Sequence, residues 1–442
     1  MKYKALVIGD DTRSFLATVR SLGRGDIEVH VAPYNFASPA LASGYIAKVH
    51  RLPYYLDGGA EWLEAMVRLL TAEKFDLIIP CEERSLLPLH LHRDRLAPLA
   101  RLAIPDQRSL DAFFDKSQTR ALAAQCGVPV AAGEEITAQT TTDALIEKLG
   151  LPLIVKPRHS YEWPELYVRT SAQRLDTREA LGHWLERHGA EPGRHLAEAV
   201  FPGVGLGLSV LCSAGRVMLA FEHRRVHEEF GSSFYRKSVA VDPARLRAVQ
   251  AMVAALGYTG LAMFEFRENP ADGEWILLEV NARPWGSLPL PVALGVDFPL
   301  ALFRLMVEGT EPQDRGYLPE RYCRNFFSDL WQIRKKLADG GLSSLAALGT
   351  WLWSFRRVLL GREYSDLRVA DDTAPARQEC RAFFAERLEG LRFRLFGPAR
   401  PSPRKTLDPH GTVLFICQGN ICRSPYAEHK LRALLGAASA IK

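Results

Sequence analysis

Residues 260–287, GLAMFEFRENPADGEWILLEVNARPWGS, decide the fold of this 442-residue chain. Two strand-like runs flank residues 269–273, NPADG, a composition that favours a tight turn. The turn predicts a β-hairpin with Glu268 opposite Glu274. Because side chains alternate between the two faces of a strand, residues of like parity share a face. The residues predicted for one face are Glu265, Glu279, Asn281 and Arg283, and those predicted for the other are Phe264, Phe266, Leu278 and Val280.

The polar face of this hairpin combines two carboxylates, an amide and a guanidinium, which are costly to bury unless they bind something. Carboxylate and amide oxygens suit Mg²⁺, and an arginine suits a phosphate or an acyl phosphate. The pattern therefore predicts a site for Mg²⁺ and a nucleotide triphosphate. The alternative is a half-exposed hairpin whose polar face meets water. Two upstream lysines, Lys116 and Lys156, favour the first interpretation because a triphosphate also needs cations from the opposite side.

The first hundred residues alternate between strand and helix patterns. Apolar runs of strand length (KALVIG, IEVHVAP, FDLIIPCEE) are separated by helical periods (TRSFLATVRSLG, EWLEAMVRLLTAEK). This alternation predicts a parallel sheet covered by helices on both faces. Residues 9–11 follow the first strand without the GxGxxG spacing of a dinucleotide-binding turn. We therefore expect a structural or substrate-facing domain there.

A different pattern begins near Pro105. Residues 109–130, SLDAFFDKSQTRALAAQCGVPV, predict one helix with Lys116 near its start and a stop signal at Gly127 and Pro129. Residues 151–160, LPLIVKPRHS, predict a buried strand that contains Lys156. Residues 195–225 then predict strands separated by glycine turns.

The order of Lys116, IVKP, AEAVFPG, FEF and LLEVNARPWGS resembles the ATP-grasp enzymes. The resemblance is closest to the carboxylate-amine ligases of the branch that includes relatives of carbamoyl-phosphate synthase and of the pyrrolysine-biosynthesis ligase. It covers about residues 1–310 and implies an α/β and α+β fold. A Rossmann-like preceding domain would span residues 1–105. A two-lobed ATP-grasp domain would follow at residues 106–312, with lobes of about 106–195 and 196–312 that bind ATP between them.

The same resemblance implies ATP and Mg²⁺ as cofactors and assigns roles to individual residues. Lys116 and Lys156 would hold the ATP phosphates, and Arg283 would stabilise the transferring phosphoryl group. The residues implied to meet the adenine edge, largely through their backbone, are Glu198, Ala199 and Val200. The residues implied to ligate Mg²⁺ are Glu265, Glu279 and Asn281. The implied reaction forms an acyl phosphate from a carboxylate, which an amine or similar nucleophile then attacks, with release of ADP and phosphate.

Residues 222–238, EHRRVHEEFGSSFYRKS, resemble the substrate edge of this branch. By that resemblance Arg225 is a candidate catalytic residue. The further substrate candidates are Glu228, Ser232, Ser233 and Arg236. The alternative interpretation is a charged surface hairpin.

Residues 313–410 predict a helical segment followed by a proline-rich linker. Its stretches DLWQIRKKLADGG and TWLWSFRRVLLG combine tryptophan, leucine and arginine in amphipathic patterns. Such helices serve as packing surface or lie at a membrane interface. We favour packing, and peripheral membrane contact stays open.

Residues 411–442 contain CQGNICRSP, which follows an apolar, strand-like run. Cys417 and Arg423 have the Cys-x5-Arg spacing, and the stretch resembles the signature of low-molecular-weight protein tyrosine phosphatases. The resemblance implies Cys417 as nucleophile, Arg423 as phosphate clamp, and Asn420 and Ser424 as residues that hold the loop. The family's general acid is missing before Lys442. We therefore expect an incomplete phosphatase-like strand-loop-helix and no phosphatase activity.

Composition and charge limit the remaining possibilities. The net charge of +5 is spread along the chain, so a nucleic-acid partner is not expected. Scattered cysteines, the absence of a signal-peptide core and the absence of a membrane-length apolar run predict a reduced, cytoplasmic protein. We expect small-molecule carboxylate and amine substrates and a homo-oligomer.

Three hypotheses follow for the function. The first is an ATP-dependent ligase, with a role in glycan or natural-product modification that the phosphatase-like segment implies by association. The second is a phosphotyrosine phosphatase whose front half binds a nucleotide as a regulator. The third is a non-catalytic ATP-binding scaffold.

Overall fold

The structure, a computed structural model, describes residues 3–161, 166, 169–189, 191, 193–229, 232–338 and 342–396. Its strands form three sheets of five, four and seven strands. The predicted phosphatase-like residues Cys417, Asn420, Arg423 and Ser424 lie outside the described residues.

The first sheet is parallel, and its strand order is β3-β2-β1-β4-β5. Its strands are β1 (Lys4–Ile8), β2 (Glu28–Ala32), β3 (Ile46–Val49), β4 (Leu77–Pro80) and β5 (Arg101–Leu102). The helices between them are α1 (Ser14–Arg24), α2 (Ala60–Glu73), α3 (Glu83–Leu91) and α4 (Arg93–Leu96). Helix α1 packs on one face of the sheet, and α2 and α3 pack on the other. The strand order reverses between β1 and β4, so a crevice opens at their carboxyl ends.

Two helices replace the single helix predicted over residues 109–125. They are α5 (Gln107–Phe114) and α6 (Lys116–Gln125). Asp115 between them has an extended backbone, and its carboxylate accepts hydrogen bonds from the amides of Ser117 and Gln118 at 2.9 and 3.4 Å. The prediction of one helix is wrong because an aspartate is stabilising just before a helix, where it satisfies free amide groups. Lys116 therefore occupies the first position of a new helix.

The second sheet has the strand order β6-β9-β7-β8. Its antiparallel strands are β6 (Gly133–Glu135), β7 (Leu153–Pro157), β8 (Gln173–Leu175) and β9 (His195–Ala199). Helices α7 (Thr142–Leu149) and α8 (Arg178–His188) cover one face. Val155 is buried beneath these helices. Because faces alternate along a strand, Lys156 lies on the opposite face.

The third sheet has the strand order β14-β13-β10-β11-β12-β15-β16. Its strands are β10 (Val204–Ser213), β11 (Arg216–Glu229), β12 (Ser232–Val239), β13 (Gly260–Glu268), β14 (Trp275–Asn281), β15 (Tyr322–Arg324) and β16 (Glu363–Ser365). Helices α5, α6 and α9 (Pro243–Leu256) pack on one face. Helices α10 (Pro289–Ala293) and α11 (Phe298–Phe303) fill the space between the other face and α1. The first and third sheets thus share one hydrophobic core.

Strands β13 and β14 form the predicted hairpin, but its register at the turn differs from the prediction. Glu268 pairs with Trp275 instead of Glu274. The prediction is wrong by one residue because the turn also includes Glu274, whose carbonyl accepts a hydrogen bond from the amide of Asn269 at 2.8 Å.

A β-bulge adds a second shift of one residue further along the hairpin, so the predicted parity is restored. Between Glu265 and Phe266 the register shifts by one, so Glu265 faces Glu279 while Phe266 faces Leu277. The predicted place of Leu278 on the apolar face is wrong, because Leu277 packs there at 3 % exposure. The prediction that Glu265 and Glu279 share a face is confirmed. A bulge inserts one residue and so re-aims the side chains beyond it.

The segment from residue 313 is less purely helical than predicted. Its helices are α12 (Phe326–Ala338), α13 (Leu342–Ser354), α14 (Arg356–Leu359) and α15 (Ala374–Phe396). Strands β15 and β16 extend the third sheet, and each has only three residues, too few to leave a periodic pattern. None of the described helices is both long and apolar enough to cross a membrane. The domain boundaries near residues 105, 312 and 410 stay predictions.

Buried ion pairs hold this segment against the first and third sheets. Arg236 and Asp366 form a fully buried pair. Arg20 on α1 donates from Nε to Asp372 Oδ2 at 2.8 Å, with both side chains 3 % exposed. Asp372 also accepts hydrogen bonds from Ser43 Oγ at 2.7 Å and from a backbone amide. Charges buried in this way are strongly destabilising when one partner is removed.

We therefore predict unequal effects for two neighbouring substitutions. Asp372→Asn should lower the free energy of unfolding by about 3 kcal/mol, because it leaves the Arg20 guanidinium buried without a counter-charge. Asp371→Asn is the matched control. Its carboxylate is 44 % exposed and binds Arg24 at 2.7 Å, so the loss should be at most about 1 kcal/mol. Denaturant unfolding of the two variants measures the difference, and equal effects would contradict this account.

Candidate functional site

A cavity of about 280 Å³ lies where the carboxyl ends of β1 and β4 meet the polar face of β13 and β14. Six of the residues predicted from the sequence line it: Arg225, Arg236, Glu265, Glu279, Asn281 and Arg283. The first sheet contributes Asp11, Arg13, Ser14, Cys81, Glu82 and Glu83. The volume suits a small polar molecule.

The two facing carboxylates are joined by an amide. Asn281 Nδ2 donates to Glu265 Oε1 at 3.3 Å and to Glu279 Oε1 at 3.5 Å. Glu265 Oε2 also accepts from Arg225 Nη2 at 2.6 Å. Glu279 has no cationic side chain within 4 Å among the described residues. One carboxylate is therefore paired, and the other is open to a further cation.

The surroundings shift the pKa values of these carboxyl groups in opposite directions. Burial raises the pKa of Glu265 above its ordinary value, and the nearby Arg225 only partly offsets this. Burial also acts to raise the pKa of Glu279, but the positive charges of Lys116 and Lys156 outweigh it and lower that pKa. Two buried carboxylates whose pKa values are pushed apart are typical of functional sites.

The two predicted lysines approach the pair from the second sheet and from α6. Lys116 Nζ donates to Ser160 Oγ at 3.3 Å. Lys156 Nζ forms an ion pair with Glu198 Oε2 at 2.6 Å and donates to the Leu278 carbonyl at 3.5 Å. Burial lowers the pKa of Lys116, although Glu279 and Glu83 oppose the shift. The structure thus brings both lysines into the electrostatic neighbourhood of Glu279.

The predicted adenine-contacting residues lie at the end of β9. The Glu198 carboxylate is buried and binds Arg120 Nη1 at 2.8 Å as well as Lys156. The Ala199 amide donates to the Ala132 carbonyl at 2.8 Å, so it is not free to contact a base without breaking that bond. Val200 follows directly after the strand. Contact of this segment with adenine stays a prediction.

Arg283 links the hairpin to the first sheet. Its Nη2 donates to Glu83 Oε1 at 3.1 Å and to Asn281 Oδ1 at 3.0 Å. Burial acts to lower the pKa of Arg283, but Glu83 outweighs it and the pKa is raised. The arginine is therefore a permanent cation at the junction of the two sheets.

The remaining substrate candidates divide into two groups. Arg236 borders the cavity but is 0 % exposed and binds Asp366, at 3.1 Å from Nη1 to Oδ2, which gives it a structural ion pair. Glu228 lies on β11, and Ser232 and Ser233 lie on β12. The side chains of these three residues are outside the described part of the structure.

Sequence reasoning expected a structural or substrate-facing role for the first domain but named no site residue in it. Asp11 and Arg13 follow β1, while Cys81, Glu82 and Glu83 follow β4. The signal was available in principle, because ligands of open α/β sheets bind where the strand order reverses. The strand order itself was not deduced from the sequence, so these residues had no assigned neighbours.

Comparisons with solved structures find several similar folds. An L-amino acid ligase from Bacillus licheniformis is 19% identical with a TM-score of 0.53, and the match covers 73% of this chain and 78% of that chain. An N5-carboxyaminoimidazole synthetase from Staphylococcus aureus complexed with ADP is 17% identical with a TM-score of 0.56, covering 72% and 81%.

A third similar structure is the biotin carboxylase domain dimer of the Hydrogenobacter thermophilus 2-oxoglutarate carboxylase, in complex with MgADP, ADP and bicarbonate. It is 16% identical with a TM-score of 0.57, covering 73% and 74%. The sequence matches no protein-family model and no curated protein. These likenesses show the fold alone. The α/β and α+β fold class implied by the sequence motifs is confirmed.

The split pKa values predict unequal stability effects for two isosteric substitutions. A carboxyl whose pKa is raised by folding, such as Glu265, destabilises the fold when ionised. This cost disappears as the pH falls towards the ordinary value of 4.5. Glu279 has a lowered pKa, so its charge stabilises the fold above pH 4.5 and this contribution is lost as the pH falls through the folded-state value. At pH 7, Glu279→Gln should lower the free energy of unfolding more than Glu265→Gln. Glu265→Gln leaves Arg225 without its carboxylate but also removes the cost of ionising Glu265, so the two effects offset each other in part.

Denaturant unfolding between pH 8 and pH 4 measures both effects. The difference between the two variants should be largest near neutral pH and shrink in acid. Glu274→Gln, at the exposed turn of the same hairpin, is the control and should change stability by no more than about 0.5 kcal/mol. An equal loss of stability in the two cavity variants would contradict the assignment.

Proposed function

We propose that the protein is an ATP- and Mg²⁺-dependent ligase that activates a carboxylate as an acyl phosphate and joins it to an amine or similar nucleophile. One observation carries the proposal. The facing pair of Glu265 and Glu279 lies near cations from separate elements: Lys116 and Lys156 act on Glu279, and Arg283 binds the adjacent Asn281. The fold supports the proposal, because similar folds bind ADP in the Staphylococcus aureus synthetase and MgADP in the biotin carboxylase domain.

The donor set fits Mg²⁺. Mg²⁺ prefers hard oxygen ligands and is commonly held by one or two carboxylates together with substrate phosphates. Glu279 offers an open carboxylate, and Glu265 offers a second one opposite it. Asn281 directs its nitrogen at both carboxylates, so ligation through its oxygen requires the amide to turn over and release Arg283. When bound, Mg²⁺ would neutralise charge on the nucleotide phosphates.

In the first step, an oxygen of the substrate carboxylate attacks the γ-phosphorus of ATP. The bond from that phosphorus to the bridging oxygen breaks, and ADP leaves. The barrier is dominated by positioning and by repulsion between negative groups. Lys116 and Lys156 would hold the phosphates, and Arg283 would attract the oxygens of the transferring phosphoryl group. This step requires no general acid or base. The charged groups of the site are mostly held in ion pairs, which suits a step that depends on charge rather than on proton transfer.

In the second step, an amine attacks the carbonyl carbon of the acyl phosphate. The carbon–oxygen bond to phosphate breaks, inorganic phosphate leaves and the nitrogen loses a proton. Arg225 is bound to Glu265 at 2.6 Å on the cavity wall, where it would stabilise the departing phosphate. The contacts described above assign no residue to the amine. The structure therefore constrains the identity of the amine less than that of the nucleotide and the carboxylate.

Three wider aspects belong to the same proposal. Glycan or natural-product modification is the biological setting that the phosphatase-like segment implies by association. Assembly as a homo-oligomer is in line with the dimer named for the biotin carboxylase neighbour. A domain division near residues 105 and 312 would place the cavity at the junction of the preceding and ATP-grasp domains.

Substituting Glu279 should abolish turnover with little change in the fold. We expect Glu279→Gln to reduce ADP release by ~100-fold or more, because it removes a carboxylate that would hold Mg²⁺ against the nucleotide phosphates. The assay is ADP release during a screen of amino acids and small carboxylates, alone and in pairs. Glu274→Gln, at the exposed hairpin turn, should behave as the wild type. A Glu279→Gln variant with undiminished ADP release would refute the proposed site.

The two alternative functions predict different outcomes in the same experiments. A phosphatase would hydrolyse an aryl phosphate, and Cys417→Ser would abolish that activity while Glu279→Gln would not. A nucleotide-binding scaffold would bind MgADP even after Glu279→Ala and would release no ADP with any acceptor.

A further inference from the structure

Two arginines of the cavity wall, Arg13 and Arg169, form no ion pair among the described residues, and Arg13 is the more buried of the two. Arg225 binds Glu265, Arg236 binds Asp366 and Arg283 binds Glu83. The half-buried Arg13 guanidinium has no carboxylate within 4 Å and no hydrogen-bond acceptor among the described residues. A buried charge without a counter-charge is costly. Its position is therefore unfavourable unless an anion completes it.

The two carboxylates whose charges act on Arg13 are Asp11 and Asp366, and both are bound elsewhere, Asp366 by Arg236. Both oxygens of Asp11 accept hydrogen bonds at the start of α1, from the amides of Arg13, Ser14 and Phe15 at 2.6–3.0 Å and from Ser14 Oγ at 2.5 Å. Asp11 thus holds the helix start rather than the guanidinium. The ring of Phe234 lies 5.1 Å from the Arg13 guanidinium carbon, which positions the side chain without neutralising it.

The local backbone leaves room for this guanidinium. A Cβ atom on Gly286 would lie 3.0 Å from Nη1 of Arg13 and 3.1 Å from its Cζ. The glycine of the PWGS turn therefore lets the arginine lie against the backbone at the cavity wall. The same turn carries Trp285 and Ser287, which also line the cavity.

Unsatisfied polar groups also line this cavity. Trp285 is 1 % exposed and its Nε1 has no hydrogen-bond partner, and His223 is 4 % exposed with Nδ1 likewise unpartnered. The Nε atoms of Arg236 and Arg283 are also without partners. Buried polar groups are normally hydrogen-bonded. Nitrogen groups left over around one cavity are complementary to an oxyanion.

The Arg13 end of the cavity is separate from the proposed nucleotide phosphates. Lys116 and Lys156 do not line the cavity, whereas Glu279, Asn281 and Arg13 do. The cavity therefore extends from the acidic hairpin face towards the turn after β1, away from the two lysines. An anion at Arg13 would belong to the second molecule in the site.

We propose that Arg13 binds an anionic end group, a carboxylate or a phosphate, of the small-molecule substrate, distinct from the carboxylate that is phosphorylated. This assignment rests on the proposed ligase function and narrows its substrate class. The substrates would include a dicarboxylate, an amino acid or a phosphorylated carboxylate. The cavity volume of about 280 Å³ agrees with a molecule of that size.

The test is calorimetric titration of the full chain, saturated with MgADP, using succinate, L-glutamate and inorganic phosphate as probes and succinamide as the uncharged control. Wild-type protein should bind at least one anion saturably and should not bind succinamide. Arg13→Gln should weaken anion binding about 10- to 100-fold, as expected for a lost charge-assisted hydrogen bond. Arg13→Lys, which keeps the charge but not the planar fork, should lose less. Binding of the dicarboxylates would identify a carboxylate group, and binding of phosphate alone would identify a phosphorylated substrate.

The matched control is Arg24→Gln on the same helix, where the arginine binds Asp371 instead of the cavity. It changes the net charge equally and should leave anion binding unchanged. The inference is overturned if no anion binds saturably, if Arg13→Gln binds as the wild type does, or if Arg24→Gln has the same effect. It is also overturned if Arg13→Gln weakens MgADP equally, since Arg13 would then serve the nucleotide. Failure of the wild type to bind MgADP counts instead against the proposed function, and the anion titration without nucleotide then tests Arg13 alone.

Discussion

The site depends on the confinement of two carboxylates, Glu265 and Glu279, opposite each other on one sheet face. Like charges at paired positions of antiparallel strands repel each other, and burial adds a desolvation cost. The protein tolerates the pair because each carboxylate is compensated from a different direction. Arg225 neutralises Glu265 through a direct contact, whereas Lys116 and Lys156 act on Glu279 through their field. Because no cation contacts Glu279 directly among the described residues, a further cation bound there would relieve the remaining repulsion between the two carboxylates.

Small departures from regular structure make this arrangement possible. Without the bulge at Leu278 the offset of the turn would continue along the hairpin, and Glu265 and Glu279 would not face each other. Asp115 plays a comparable part, because it begins a new helix and so sets Lys116 at its first position. The regular strands and helices make the site rigid. The bulge and the helix break at Asp115 determine where its charged side chains point.

The sequence carries the polar face of the hairpin more clearly than its register. Alternation along β13 and β14 is sufficient to place Glu265, Glu279 and Asn281 together, because an even number of shifts preserves parity. The turn offset and the bulge could not be deduced separately, since each depends on hydrogen bonds that leave no periodic signal. The three-residue strands β15 and β16 were missed for the same reason.

Residues brought to the cavity by tertiary packing were missed for a different reason. Glu83 and Arg13 are ordinary charged residues of short loops in the sequence, and each acquires meaning only from its neighbours in space. Strand order determines those neighbours, and strand order follows from which faces pack together. The lysines were found because family motifs surround them, whereas the paired acid Glu198 was assigned to the adenine edge without its two ionic contacts.

The first sheet is part of the site rather than an accessory to it. Arg283 holds Asn281 with the same guanidinium nitrogen that binds Glu83, so the docking of the first sheet and the orientation of the amide are coupled. If the Asn281 amide turned towards a metal, Nη2 of Arg283 would lose its hydrogen bond to Asn281. Its contact with Glu83 would remain and would neutralise the guanidinium. Arg283 could then turn towards a phosphoryl oxygen without losing its place at the junction. Metal binding, domain contact and phosphoryl stabilisation thus converge on one side chain, which explains why a single arginine sits between two sheets that share a hydrophobic core.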